Sequence, residues 1–157
     1  MKLKMKFQAE SNSSEDQDKI RSSLNILSEE SWESVIREFG DPEVRHLTDG
    51  LEVCAWRFTG VSRSILVGIK NQTKEWRMAA IRFFSPLGED IPIENVEPKM
   101  MFQGDEVFIG DLRENTTVFL RVMTLGVASK INMHISGMIG GNPVAATLRK
   151  SLSYESE

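Results

Sequence analysis

Three runs at strand spacing, Val107–Leu112, Thr116–Leu125 and Lys130–Ile139, separated by short turn signals, constrain this chain more than any other feature. A strand that alternates apolar and polar residues has one dry face and one wet face, whereas a strand apolar at every position must be covered on both sides. Thr116–Leu125 is of the second kind: Val118, Leu120 and Val122 share one face, Phe119, Met123 and Leu125 the other, and Arg121 alone breaks the pattern. Lys130–Ile139 is of the first kind, with Asn132, His134 and Ser136 on its polar face. The expectation is a β-meander inside a packed, β-rich body, its middle strand sealed on both faces. Arg121 in that strand must either pair with an acid such as Asp111 or reach an interface, because an uncompensated buried charge is costly.

The same periodicity predicts strands over Leu51–Phe58, Ser64–Lys70 and Glu75–Phe84, punctuated by Asp49-Gly50, Gly60 and Asn71-Gln72-Thr73-Lys74. Ser85–Gln103 contains Pro86, Pro92 and Pro98 and little alternation, which reads as a long ordered loop crossing between sheets. Lys2–Ala9 alternates lysines and Gln8 with Leu3, Met5, Phe7 and Ala9, the pattern of a half-buried strand. A linker at Ser11–Asp18 leads into a short helix ending near Leu27, with Ser14 and Gln17 as a capping box. A second helix is marked by Trp32, Val35, Ile36 and Phe39 at i, i+3, i+4 and i+7, stopped by Gly40 and Asp41-Pro42. Past the last strand, Asn142 as cap and Pro143 at the first helical position predict a short helix through Lys150, with a strand over Thr147–Tyr154 as the competing reading. The expected fold class is therefore α+β: a mainly antiparallel β-sheet or β-sandwich with an N-terminal strand and two helices packed on it. One domain should span residues 1–157, made of an N-terminal strand and helical part (2–40), a β-rich body (51–139) and a short helix and tail (142–157).

Composition excludes several classes. With 40% hydrophobic and 27% charged residues the chain is neither disordered nor fibrous, and no apolar run approaches a transmembrane length. The alternating N-terminus lacks the continuous apolar core of a secretory signal, and a lone Cys54 fits a reducing compartment, so a cytoplasmic or nuclear location is expected. Chemistry is sparse. His46, placed in a loop, and His134 are the only histidines; with one cysteine they make no zinc pattern. Gly137-Met138-Ile139-Gly140-Gly141 lacks the ending of a phosphate loop. No catalytic residue, cofactor or metal is expected, and the chain reads as a non-enzyme.

Charge is segregated instead. Residues 11–56 hold eleven acids against four bases, 57–82 one acid against six bases, and 83–114 eight acids against two bases. The basic island, Arg57, Arg63, Lys70, Lys74, Arg77 and Arg82, is interleaved with Trp56 and Trp76, the composition of a single-stranded RNA platform. Alternatively, a basic face on one subunit could meet an acidic face on the next, giving assembly that weakens with salt. Lys2, Lys4 and Lys6 could touch an acidic membrane surface peripherally, and with Trp32 and Arg121 they are the candidate interface residues. A third option is an apolar ligand pocket near Trp32, Trp76 and Phe102.

The ending Lys130–Tyr154, an alternating strand, then Gly-Gly-Asn-Pro, then Ala-Ala-Thr-Leu-Arg-Lys-Ser-Leu-Ser-Tyr, resembles the close of plant-virus movement proteins of the thirty-kilodalton superfamily. Their hallmark aspartate at the end of an upstream strand has no counterpart in Ala79-Ala80-Ile81-Arg82-Phe83-Phe84, so no family is assigned. Small viral matrix proteins are similar in size, lysine-bearing N-terminus and β-rich body. The function expected is a self-associating structural or interaction protein, a homo-oligomer of viral assembly, matrix or movement type, with single-stranded RNA binding as the alternative.

Overall fold

Residues 29–58, 61–126, 128–148 and 152–153 are described by the structure, a computed structural model. Among them are one helix, α1 (Glu29–Phe39), and eleven strands: β1 (Val44–Thr48), β2 (Leu51–Phe58), β3 (Val61–Asn71), β4 (Trp76–Phe84), β5 (Ile93–Glu97), β6 (Met101–Gln103), β7 (Glu106–Leu112), β8 (Thr116–Thr124), β9 (Lys130–Ile139), β10 (Asn142–Thr147) and β11 (Leu152–Ser153). They form two sheets. The first runs β1-β2-β3-β8-β5 and the second β10-β9-β4-β7-β6, with β11 also beside β9. Every pairing is antiparallel.

Alternation along the strands builds the interior. Val53, Ala55, Ile65, Val67, Leu120 and Val122 of the first sheet meet Trp76, Ile81, Phe83, Val107, Met133 and Ile135 of the second in one buried cluster. The opposite side of the first sheet is also dry. Trp32, Val35 and Phe39 of α1 lie on Cys54, Trp56, Leu66 and Phe119, forming a second cluster. This explains why β8 is apolar on both faces: one looks into the sandwich, the other towards the helix layer. The helix ends as its residues dictate. Gly40 takes φ 84° and donates its N–H to Ile36 O at 2.8 Å, and Trp56 Nε1 donates to Gly40 O at 2.9 Å. Close approach is possible because Gly68 of β3 has no side chain. A Cβ there would sit 2.8 Å from Phe119 Cε1 and 3.0 Å from Trp32 Cζ3.

Tight turns close two of the hairpins. Asp49 and Gly50 take φ 45° and 83°, and Gly140 and Gly141 take 55° and 84°, the paired positive values of the turn that matches strand twist. The arch from β3 to β4 is tied down by buried Asn71, whose Nδ2 donates to Lys74 O and Leu112 O, both at 2.8 Å.

Several expectations are corrected. Two helices packed on a sheet are not seen: α1 is the one helix among the described residues, and the segment expected to be helical after Gly141 is strand β10. Asn142 and Pro143 can open a helix, but with Gly140-Gly141 forming a two-residue turn they continue instead as the return arm of a hairpin, Asn142 opposite Ile139. The strands β7, β8 and β9 are not a meander. β7 pairs with β4 and β6, β8 with β3 and β5, and β9 with β4 and β10, so the chain crosses between sheets at each connection. Periodicity marks a strand but not its neighbour. His46 lies in β1 rather than a loop, and the 85–103 crossing contains the short strands β5 and β6. The expected strand Lys2–Ala9 and the first helix lie outside the described residues.

Gly68→Ala is expected to destabilise the protein by about 1–3 kcal/mol, the usual cost of overpacking. Denaturant unfolding checks it, with the larger change in near-ultraviolet dichroism coming from the Trp32–Phe119 pair, whose ring centroids lie 5.3 Å apart.

Candidate functional site

The basic island that stands out in the sequence is dispersed by the fold. Trp56 faces α1 and Trp76 the sandwich interior, 3% and 0% exposed, so neither presents a ring for stacking. Arg57, on the other side of β2 from Trp56, is buried; its Nη1 donates to Ala128 O at 2.8 Å and its backbone N–H to Glu43 Oε2 at 3.1 Å. Arg63 reaches Glu94 at 3.1 Å. Arg82 is gripped by Asp105 at 2.7 Å and Asp90 at 3.2 Å, and stacks 5.2 Å from the Phe84 ring centroid. These two carboxylates raise the Arg82 pKa further through their hydrogen bonds. Lys70 sits 5.8 Å over the Trp32 ring; Lys74 is exposed in the β3–β4 arch, and Arg77 is 3.6 Å from Glu75. The island and the acidic block after it thus partner each other within one chain. Trp32 is buried between α1, to which it belongs, and the first sheet, on the far side of that sheet from Trp76, so with Phe102 packed at the sandwich core the three line no common pocket. Lys2, Lys4 and Lys6 lie outside the described residues.

Arg121 is fully buried, and its partner is Glu97 of β5, not Asp111. Nη1 lies 2.8 Å from Glu97 Oε1 and Nε 3.3 Å from Ser64 Oγ. Asp111 is engaged elsewhere, accepting the Met78 N–H at 3.1 Å. The register puts Arg121 opposite Glu97, and sequence spacing could not reveal that because β5 was hidden among prolines. Burial pulls the Arg121 guanidinium down to about 10, still protonated at neutral pH. Cys54 is likewise inert: burial, and secondarily the Glu52 carboxylate, push its thiol up to about 12.

What the sequence did not announce is an exposed, weakly charged surface on the second sheet. It originates in β4. Trp76 must enter the core, and there Gly137 of β9 makes room, since a Cβ at 137 would stand 2.8 Å from Trp76 Cε3. Arg77 pairs with Met138 and Ala80 with Ser136, so β4 has one residue more than β9 over this stretch. The bulge throws Met78 outward, 73% exposed and at φ 55°, a left-handed conformation that an unbranched non-glycine residue holds at a cost on the order of 1 kcal/mol. Beyond the bulge the register aligns Ala145 of β10, Ser136 of β9, Ala80 of β4, Phe108 of β7 and Met101 of β6 in one row across the outer face, its two ends exposed, Ser136 and Phe108 half-buried and Ala80 buried. Met101, at its far end, is 74% exposed. A shallow hollow of about 360 Å³ lies between Met78, Met138, Pro143 and Ala145. It adjoins an open trough of about 1270 Å³ at the sandwich end, bordered by Asp49, Lys74, Glu75, Arg77, Asp111 and the Gly140-Gly141 turn. An exposed residue with a strained backbone and a run of small side chains were the available signals, and the strain is invisible without φ.

Among the described residues no three His, Cys, Asp or Glu side chains gather as a metal site, and no helix is long and apolar enough to cross a membrane. No family model matches the chain, and no curated protein matches it. Among solved structures, the chain is similar to the yeast GGA1 GAE domain–P21 crystal structure at 12% identity and a TM-score of 0.41, covering 73% of this chain and 100% of that one. It is similar also to the GAE domain of GGA2p from Saccharomyces cerevisiae at 7% identity and a TM-score of 0.41, covering 74% and 99%. At that TM-score neither likeness bears on what this chain does.

Glu97→Gln is expected to cost about 3–5 kcal/mol in denaturant titration, because it removes one partner of a buried ion pair, while replacing both partners by apolar residues costs much less. Cys54 should resist maleimide at mildly alkaline pH until denaturant is added, since the raised thiol pKa leaves almost no thiolate in the folded state.

Proposed function

We propose that this protein is a non-enzymatic interaction protein that self-associates through the outer side of its second sheet. The observation that supports this is the unequal treatment of the two sheets. The first has its outer face covered by α1 with Trp32, Val35 and Phe39; the second presents Met78, beside Ala145, and Met101, beside Phe108, to solvent, 73% and 74% exposed. Exposed methionines beside small residues offer apolar contact without a fixed shape requirement.

The charge pattern changes the mechanism expected of such association. Arg63 and Arg82 already neutralise Glu94, Asp90 and Asp105 in the same chain. A head-to-tail contact between basic and acidic faces would have to break these pairs, and surface pairs gain little by exchanging one partner for another. Apolar contact and backbone pairing are the better drivers.

Sedimentation over a wide concentration range, at low and at high salt, tests this reading. The expected result is concentration-dependent association that added salt does not weaken, reduced by Met78→Lys. A monomer at every concentration and salt level overturns it.

A further inference from the structure

We infer that β10 is the self-association edge and that a second copy of the chain adds to it, strand against strand, across a two-fold axis at Ala145. This rests on the self-association reading above and specifies where it occurs.

A sheet edge is a row of unpaired backbone groups, and most proteins guard it with charge, proline or brevity. Among the described residues, three of the four edge strands are guarded. β1 has Arg45 and His46, β5 has the exposed Glu94 and lies between Pro92 and Pro98, and β6 is three residues long. β10, Asn-Pro-Val-Ala-Ala-Thr, has no charged residue, and its one guard, Pro143, removes a single N–H near the start of the strand and leaves those of Ala145 and Thr147 open.

The hairpin fixes which backbone groups of β10 face outward. Asn142 and Ile139 flank the two-residue turn, Val144 opposes Gly137 and Ala146 opposes Ile135, and Leu148 N donates to Met133 O at 2.9 Å. The even-numbered residues therefore bond to β9. The N–H and C=O groups of Ala145 and Thr147, and the C=O of Pro143, point away from it. Pro143 falls on the free side, where its missing N–H costs the β9 ladder nothing. Pro143, Ala145 and Thr147 are all exposed.

These groups are self-complementary. With Ala145 opposite Ala145 of the second copy, each Ala145 N–H meets the other Ala145 C=O. Each Thr147 N–H meets the other Pro143 C=O, so the proline is used as an acceptor where it cannot donate. A two-fold axis brings identical side chains together, which penalises a charged edge and favours a neutral one. Here it joins alanine to alanine and proline to threonine. The second sheet would then continue through both molecules, bringing the hollow beside Met78, Met138 and Pro143 of each copy to the seam.

Ala145→Pro tests this, because it deletes an outward N–H while leaving the β9 bonds in place. It should keep the wild-type circular dichroism and weaken dimerisation by roughly thirty-fold, the effect of losing two ordinary backbone hydrogen bonds. Ala145→Lys and Ala145→Glu should each be monomeric alone and associate when mixed, which holds the test open if the proline variant does not fold. An Ala145→Pro protein that dimerises like wild type overturns the β10 assignment and leaves self-association standing, as do Lys and Glu variants that associate alone as well as together. A wild-type protein that never associates overturns the broader reading itself.

Discussion

Covering the first sheet on both faces is the constraint on which the rest depends. Its strands β2, β3 and β8 have apolar side chains on each side, and water on either would expose a large area at about 25 cal/mol per Å². The second sheet buries one side. The other requires α1, docked where Gly68 lets Trp32 and Phe119 approach the backbone. The one described helix is committed there, and the outer face of the second sheet presents Met78, Met101 and Ala145 to solvent, residues that must be tolerant of water or ready for a partner. The small side chains of Ala145 and Ser136 and the methionines at 78 and 101 fit both demands.

Charge is organised by the same geometry. Arg121 belongs to the sealed strand, and a guanidinium there is tolerable because the register brings Glu97 and Ser64 within hydrogen-bond reach. At the surface, Arg63 and Arg82 join the basic stretch to the acidic one after it. Segregation along the chain thus becomes neutralisation in space, since strands far apart in sequence are neighbours across the fold. A field that would steer a polyanion is largely cancelled, and neutral contacts remain to bring molecules together.

The second sheet then distinguishes its own parts. Burying Trp76 beside Gly137 forces an extra residue into β4, and Met78 is held outward with an unfavourable backbone. That bulge lies across β9 from β10, the uncharged edge, and Met78 shares a hollow with Pro143 and Ala145 of that strand. Their adjacency follows from one packing requirement, the need to place an indole in the interior.

Sequence alone determined where most strands lie, which of them is sealed, the apolar stripe and stop of α1, and the anomaly of Arg121. These are local properties: the pleat sends alternate residues to opposite faces, and the helical turn gathers residues three and four apart, whatever the rest of the chain does. The tertiary structure decided which strands are neighbours, that β7, β8 and β9 alternate between sheets, that Glu97 rather than Asp111 meets Arg121, and that Asn142–Thr147 is a strand with one free edge. The short strands β1, β5 and β6 escaped notice because a few residues broken by prolines or charges have no period to read. Met78 escaped because its exposure is a consequence of register. Pairing is a long-range choice made by the whole chain at once, and no window of residues contains it.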